Sequence, residues 1–189
     1  MKFVLRFIIL IMPLPILAHK KIQLSSPDGR IEFYFELVDK TPTYTVLFNG
    51  KSLIGPSKLS FRFDNGNFES DIALQRPVYR DGYEQYELVT GKAKKIKAKY
   101  KEVTLPLKEI KKPFRAINIV VRVFDDGLGF RYEYPEQKNW PVYTLLDENT
   151  TFNIAGDPMI HSLFLPNYTT SHEGEYSHQT WSNLKADTL

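Results

Sequence analysis

Ile117-Asn-Ile-Val-Val-Arg-Val-Phe-Asp-Asp-Gly-Leu-Gly-Phe-Arg-Tyr-Glu-Tyr134 is the stretch on which the fold turns. Its first eight residues are dominated by β-branched side chains. Those side chains are stiff at χ1 and pack well on a pleated surface. Asp125-Asp-Gly127 then supplies turn chemistry, and apolar and aromatic residues resume from Leu128 to Tyr134. The stretch therefore predicts a β-hairpin whose first strand, the most apolar of the chain, is central.

The same pattern extends upstream. Ile31 to Val38 and Thr43 to Phe48 read as strands, and Asn49-Gly50 is a strong signal for a tight hairpin turn. Leu59-Ser-Phe-Arg-Phe63 alternates and meets Asp64-Asn-Gly66. Tyr83–Val89 and Lys92–Leu105 flank Thr90-Gly91, a further hairpin. Short strands at this spacing, with no long amphipathic segment between them, predict an all-β sandwich or barrel. Beyond Pro135 the chain reads as connections with short strands such as Thr151–Ile154.

The first eighteen residues read as a secretory leader. Lys2 and Arg6 give a positive start, Phe7–Leu17 an apolar core, and Ala18 a small residue at the cleavage position. The apolar stretch is shorter than the roughly 18–20 residues of a spanning helix, so no membrane span is expected after cleavage. The expected division is a leader over 1–18 and one β-domain over 19–189, in a bacterial periplasm or outside the cell. The chain has no cysteine, which excludes both disulfides and a cysteine-linked lipid.

Charge removes one class of function. The whole chain carries 25 basic and 22 acidic residues; loss of Lys2 and Arg6 with the leader leaves 23 against 22. A nearly neutral chain argues against nucleic acid as a partner, which calls for a basic excess. The run Lys92, Lys94, Lys95, Lys97, Lys99, Lys101 reads as the solvated face of a half-buried strand, or an edge guarded by lysines. Ile96, Ala98 and Tyr100 would then form its other face.

Chemistry concentrates in Asn167-Tyr-Thr-Thr-Ser-His-Glu-Gly-Glu-Tyr176. His172-Glu173 begins like a zinc-protease helix, but Tyr176 stands where that motif needs its second histidine, and His178 is six residues on. Gly174 also disfavours a helix. Calcium fits the oxygen-rich composition better, yet it takes six to eight ligands at 2.3–2.6 Å. Glu173 and Glu175 could also approach the carboxyl separations of glycoside cleavage, as could any pair two residues apart. Asp64-Asn-Gly-Asn67 is oxygen-rich too, and a turn accounts for it. Trp140 and Trp181 are the candidates for stacking on sugar, with burial in a core or interface as the competing role.

In order, Ser26-Pro-Asp-Gly-Arg30, Asn49-Gly-Lys51, Phe124-Asp-Asp-Gly-Leu-Gly-Phe-Arg-Tyr-Glu133, Pro135-Glu-Gln137, Glu148-Asn-Thr-Thr-Phe152 and Thr170-Ser-His-Glu-Gly-Glu-Tyr176 resemble the N-terminal domain of glycoside hydrolase family 97. Gly156-Asp-Pro158 with Ser171-His-Glu-Gly174 is most similar to its α-glucosidase branch. The resemblance spans roughly Lys21 to Trp181. It implies an antiparallel β-super-sandwich that packs on a (β/α)-barrel, and an exported enzyme acting on α-linked oligosaccharides. In the α-glucosidase branch it further implies an inverting reaction and an active-site calcium. The N-terminal domain lends that ion one glutamate, which by motif position is Glu173, with Glu175 the weaker choice. No barrel follows in this sequence, so the expectation is an incomplete N-terminal domain without hydrolase activity of its own. The alternative is a freestanding secreted sandwich that binds carbohydrate without cleaving it.

Overall fold

A computed structural model of the chain describes residues 21–167 and 169–184. The leader expected at 1–18 lies outside the described residues. The strands, in chain order, are β1 (Ile22–Ser25), β2 (Ile31–Val38), β3 (Thr41–Phe48), β4 (Lys51–Lys58), β5 (Phe61–Phe63), β6 (Gly66–Phe68) and β7 (Ile72–Leu74). They continue as β8 (Val78–Glu87), β9 (Lys95–Glu109), β10 (Ala116–Val123), β11 (Leu128–Glu133), β12 (Leu145–Glu148), β13 (Met159–Ser162) and β14 (Ser177–Thr180). One 3₁₀ turn, Trp181–Asn183, follows β14. Among the described residues no helix is long and apolar enough to cross a membrane.

The turn chemistry read from the sequence sets the hairpins. Asn49 and Gly50 both take positive φ, 50° and 73°, and join Phe48 to its partner Lys51. This is the geometry whose twist matches the flanking strands. Asp39 and Lys40 do the same between β2 and β3. Asp125–Gly127 closes the hairpin of β10 and β11, with the Phe124 amide donating to the Gly127 carbonyl at 2.8 Å. Thr151–Ile154, read as a strand, is instead a single bridge: only Ile154 pairs, with Ile54. The segment is tied to β4 by hydrogen bonds such as Gly55 N–H to Asn153 O, 2.7 Å.

Every named pairing is antiparallel. One sheet runs β1-β2-β3-β4 and a second runs β11-β10-β9-β7, with β8 also paired to β9. A small third sheet runs β12-β5-β6, and β13 pairs β14. The alternating residues of the two large sheets share one core. Ile22, Leu24, Phe33, Phe35, Tyr44 and Val46 come from the first; Val103, Leu105, Leu107, Ile117, Ile119, Val121 and Val123 come from the second. The third sheet closes one end with Phe61, Phe63 and Phe68, which pack with Trp140 and with Tyr132 and Tyr134 of the β11 region.

β9 explains the lysine run. It is fifteen residues long, and β10 accompanies it only from Lys101 onward. Lys95, Lys97 and Lys99 therefore project from an arm paired with β8 alone, and all three are exposed. Ile96 and Ala98 are half-buried and Tyr100 is buried, as the alternation predicts. Tyr100 is covered by a polar cluster rather than by the main core. Arg122 lies over its ring at 4.4 Å, and a Cβ on the facing Gly82 would overlap that ring. Arg80 and Arg122 both donate to Glu102, at 3.0 and 2.5 Å. Burial alone would raise the Glu102 carboxyl, but these two guanidinium groups outweigh it and hold it below its ordinary range.

Asp64–Asn67 spans the β5–β6 turn and the first residues of β6, and it receives a cation of the chain's own. Arg115 donates to Asn65 Oδ1 (2.8 Å), Gly66 O (2.9 Å) and Asn67 O (2.7 Å), and it forms a two-point pair with Glu109. All five guanidinium protons are thus engaged.

The buried tyrosines make the fold sensitive to alkali. Burial pushes the Tyr44 hydroxyl up to about 12, opposed by its Ser57 neighbour, and burial likewise pushes Tyr134 up to about 12. Tyr132, hydrogen-bonded to Thr150 at 2.6 Å, is raised further by burial. A folded-state value above the unfolded value of about 10 means the contribution is complete below pH ~10 and is lost as pH rises through the folded value. We expect the melting temperature to hold to about pH 10 and then fall steeply toward pH 12. A midpoint that stays flat across that interval would show that these phenols ionise freely in the folded state.

Candidate metal-ligand loop

Glu173 lies in the connection between β13 and β14, residues 163–176. The hairpin beneath it is firmly registered: Met159 faces Thr180, His161 faces His178 and Ser162 faces Ser177. Its far end is pinned by the Trp181 amide on Pro158 O (2.9 Å). There Asp157 also accepts from the Ser182 amide and hydroxyl at 2.8 and 2.7 Å.

The loop itself is held by short-range hydrogen bonds between polar residues. Thr169 donates through its amide and hydroxyl to Asn167 Oδ1, both at 2.9 Å. The His172 amide donates to Thr170 Oγ1 at 3.3 Å, with His172 at a left-handed φ of 58°. Glu173 and Glu175 are exposed, and among the described residues Glu173 accepts only a long contact from Ser171, 3.5 Å. Among the described residues no three His, Asp or Glu side chains converge as a metal site would require. The loop thus offers calcium one or two carboxylates and does not by itself fit a site of six to eight oxygens. His178, considered beside His172 in the sequence, faces His161 across the hairpin instead.

The two tryptophans separate. Trp140 is 4% exposed and packs edge-on against Phe63 at 4.8 Å and at a tilt on Tyr143 at 4.5 Å. It is a core residue and is not available to stack on a sugar. Its Nε1 is buried without a hydrogen-bond partner among the described residues. Trp181 is 57% exposed on the 3₁₀ turn. It follows the end of β14 opposite the loop that carries Glu173.

A cleft with apolar walls lies elsewhere, between the β3–β4 hairpin and the β10–β11 turn. It encloses about 500 Å³, with walls of Val46, Ile54 and Leu128 and with Arg30 and Asp126 among its lining residues. Arg30 is fixed by Asp28 and by the Asp125 carbonyl. Glu173 and Glu175 do not line it, so this cleft and the carboxylate loop are separate features.

Comparison with known proteins gives this geometry its context. A sequence-family model described as Glycosyl-hydrolase 97 N-terminal matches residues 24–189. A retaining alpha-galactosidase of Bacteroides thetaiotaomicron is 23% identical over 171 residues, covering 89% of this chain and 24% of that protein. Among solved structures, a family 97 enzyme from Pseudoalteromonas sp. strain K8 in complex with acarbose superposes with a TM-score of 0.72. It is 23% identical, over 84% of this chain and 24% of that one. A beta-arabinopyranosidase superposes with a TM-score of 0.70 at 21% identity, over 82% and 26% of the two chains. The chain therefore spans about a quarter of the length of these relatives. The match over nearly all of the described sandwich means that this chain belongs to the glycosyl-hydrolase 97 N-terminal family.

Proposed function

We propose that this chain is the sandwich module of an exported, calcium-dependent, inverting α-glucosidase, and that it does not hydrolyse substrate by itself. One observation carries the proposal: a family 97 N-terminal sandwich presents Glu173 on a loop at the end of a registered hairpin, exposed and, among the described residues, without a cationic partner. A carboxylate so placed is free to complete a cation site whose other oxygens come from another domain. A (β/α)-barrel would supply those oxygens and the acid and base of the reaction. The loop's own carboxylates support dependence on such a domain: Glu173 and Glu175 are exposed, where water is not excluded from a bound sugar. Residues 1–18 fit export to the periplasm. Similar enzymes have been solved with panose and acarbose bound, which supports an α-linked oligosaccharide as partner. The similarity to a retaining alpha-galactosidase favours a second reading, in which the substrate is an α-galactoside and the anomeric configuration is retained.

The test uses this chain alone and a longer protein in which it adjoins a family 97 barrel. The chain alone should not release nitrophenol from p-nitrophenyl α-glucoside; turnover would overturn its proposed dependence on a barrel. The longer protein should hydrolyse the glucoside, lose activity to a calcium chelator and give first-formed β-glucose by NMR. Glu173→Gln should lower kcat/KM there by roughly tenfold to a hundredfold, the scale seen when a metal site loses a supporting group. Glu175→Gln should not. Equal activity of the Glu173→Gln protein, or indifference to the chelator, would sink the calcium role. Cleavage of the α-galactoside in place of the glucoside would establish the second reading.

A further inference from the structure

We propose that His161 and His178 form a cross-strand bis-imidazole site for a divalent late first-row transition ion, distinct from the carboxylate loop. The two residues are direct partners in the β13–β14 register, and their ring centroids are 4.4 Å apart. Directly opposed residues on an antiparallel pair project to the same face of the sheet, so both imidazoles leave the hairpin on one side. Both are exposed, so a hydrated ion reaches them and water fills its remaining positions.

The ladder makes the pair a chelate. Ser162 and Ser177 are paired on one side of it, with the Ser177 hydroxyl donating to Ser162 O at 3.2 Å, and Met159 and Thr180 are paired on the other. The hydrogen bonds at Pro158 and Asp157 hold the open end. Once one imidazole binds, the second is already beside the ion, which raises its effective concentration. The rings now meet edge to face at 89°. Rotation about χ2, which is broad for histidine, turns both lone pairs toward a common ion. The flanking residues on this face, Met159 and Thr180, carry no charge to repel a dication.

The donor type selects the ion. Neutral imidazole suits copper, nickel and zinc, whereas calcium and magnesium prefer oxygen. Met159 adds a soft thioether on the same face, which favours copper among the three. This site would therefore not compete for the ion proposed at Glu173, and it stands or falls independently of that reading.

The experiment is a titration of Cu²⁺, buffered with glycine, into the full chain, followed by calorimetry and pulsed EPR. One tight equivalent is expected, with EPR modulation from two imidazoles. His161→Ala and His178→Ala should each weaken binding by roughly tenfold or more, the loss of the second, intramolecular contact, and each should leave one imidazole signal. His172→Ala should change neither, and Ni²⁺ should bind in the same place more weakly, as the general affinity order requires. A wild-type spectrum with one imidazole overturns the proposal without recourse to any variant. So does unchanged affinity in either His161→Ala or His178→Ala, or an equal loss in His172→Ala.

Discussion

Replacing Arg115 with methionine is expected to lower the free energy of unfolding by about 3–5 kcal/mol, the cost of removing one partner from a buried ion pair. Arg115 is 2% exposed and Glu109 8%. The guanidinium makes two bonds to that carboxylate, at 3.0 and 2.5 Å, and three to the β5–β6 turn. Its flat faces lie near Phe63, Trp140 and Phe68, at 5.4, 5.6 and 6.0 Å. Methionine would fill much of the volume, but it would leave the Glu109 charge buried and two turn carbonyls without donors. The expected fall in melting temperature is roughly 6–20 °C for a domain of this size. Arg115→Lys should also destabilise, because an ammonium has three donors for five acceptor contacts. Urea denaturation with an unchanged slope would measure the loss; a value below about 1 kcal/mol, the range of exposed ion pairs, would mean that water reaches the pair.

Phe61→Ala is the second large effect, at about 3–5 kcal/mol for a buried phenylalanine cut to alanine. Phe61 is 2% exposed and sits among rings drawn from three parts of the chain. Tyr132 packs edge-on against it at 4.3 Å, and Tyr134, Phe63 and Phe68 lie within 6.1–6.4 Å. Its removal opens a void between the small sheet and β11, and the edge-to-face contact, worth about 0.5–1.5 kcal/mol beyond area, is lost with it. Phe61→Leu should cost no more than about 1.5 kcal/mol, since most of the volume stays. Val89→Ser, at a fully exposed position of the β8–β9 connection, should stay within about 0.5 kcal/mol. Near-UV circular dichroism should weaken in Phe61→Ala alone. If Phe61→Ala and Val89→Ser unfold at the same urea concentration, the aromatic cluster is not part of the cooperative core.

These two residues also mark the boundary between local and distant information. Phe61 was legible as an inward strand position, because the alternation Leu59, Phe61, Phe63 is a property of five consecutive residues. Arg115 was not. Its partners lie six and about fifty residues away in sequence, and nothing near Pro113 announces a buried cation. The same division separates Asn49-Gly50, whose turn was predictable from its own backbone preferences, from Asp64–Asn67. That turn was also predictable, but its role as an acceptor for Arg115 was not. Thr151–Ile154 looked like a strand by composition, yet a strand needs a partner along its length, and β4 offers it one bridge.

The candidate site follows the same logic. Glu173 and its family stood out by the order of short motifs along the chain, and the sandwich agrees with that resemblance. Its exposure, the burial of Trp140 and the meeting of His161 with His178 did not stand out, because each depends on how distant strands are registered. By itself the sequence determined the strand periodicity, the tight turns, the near-neutral charge and the family, since these rest on backbone sterics and residue order. Only the tertiary structure decided which polar groups meet. A pairing across a sheet is set by the whole hydrogen-bonded ladder and the shared core, and a shift of one residue would send every side chain to the opposite face.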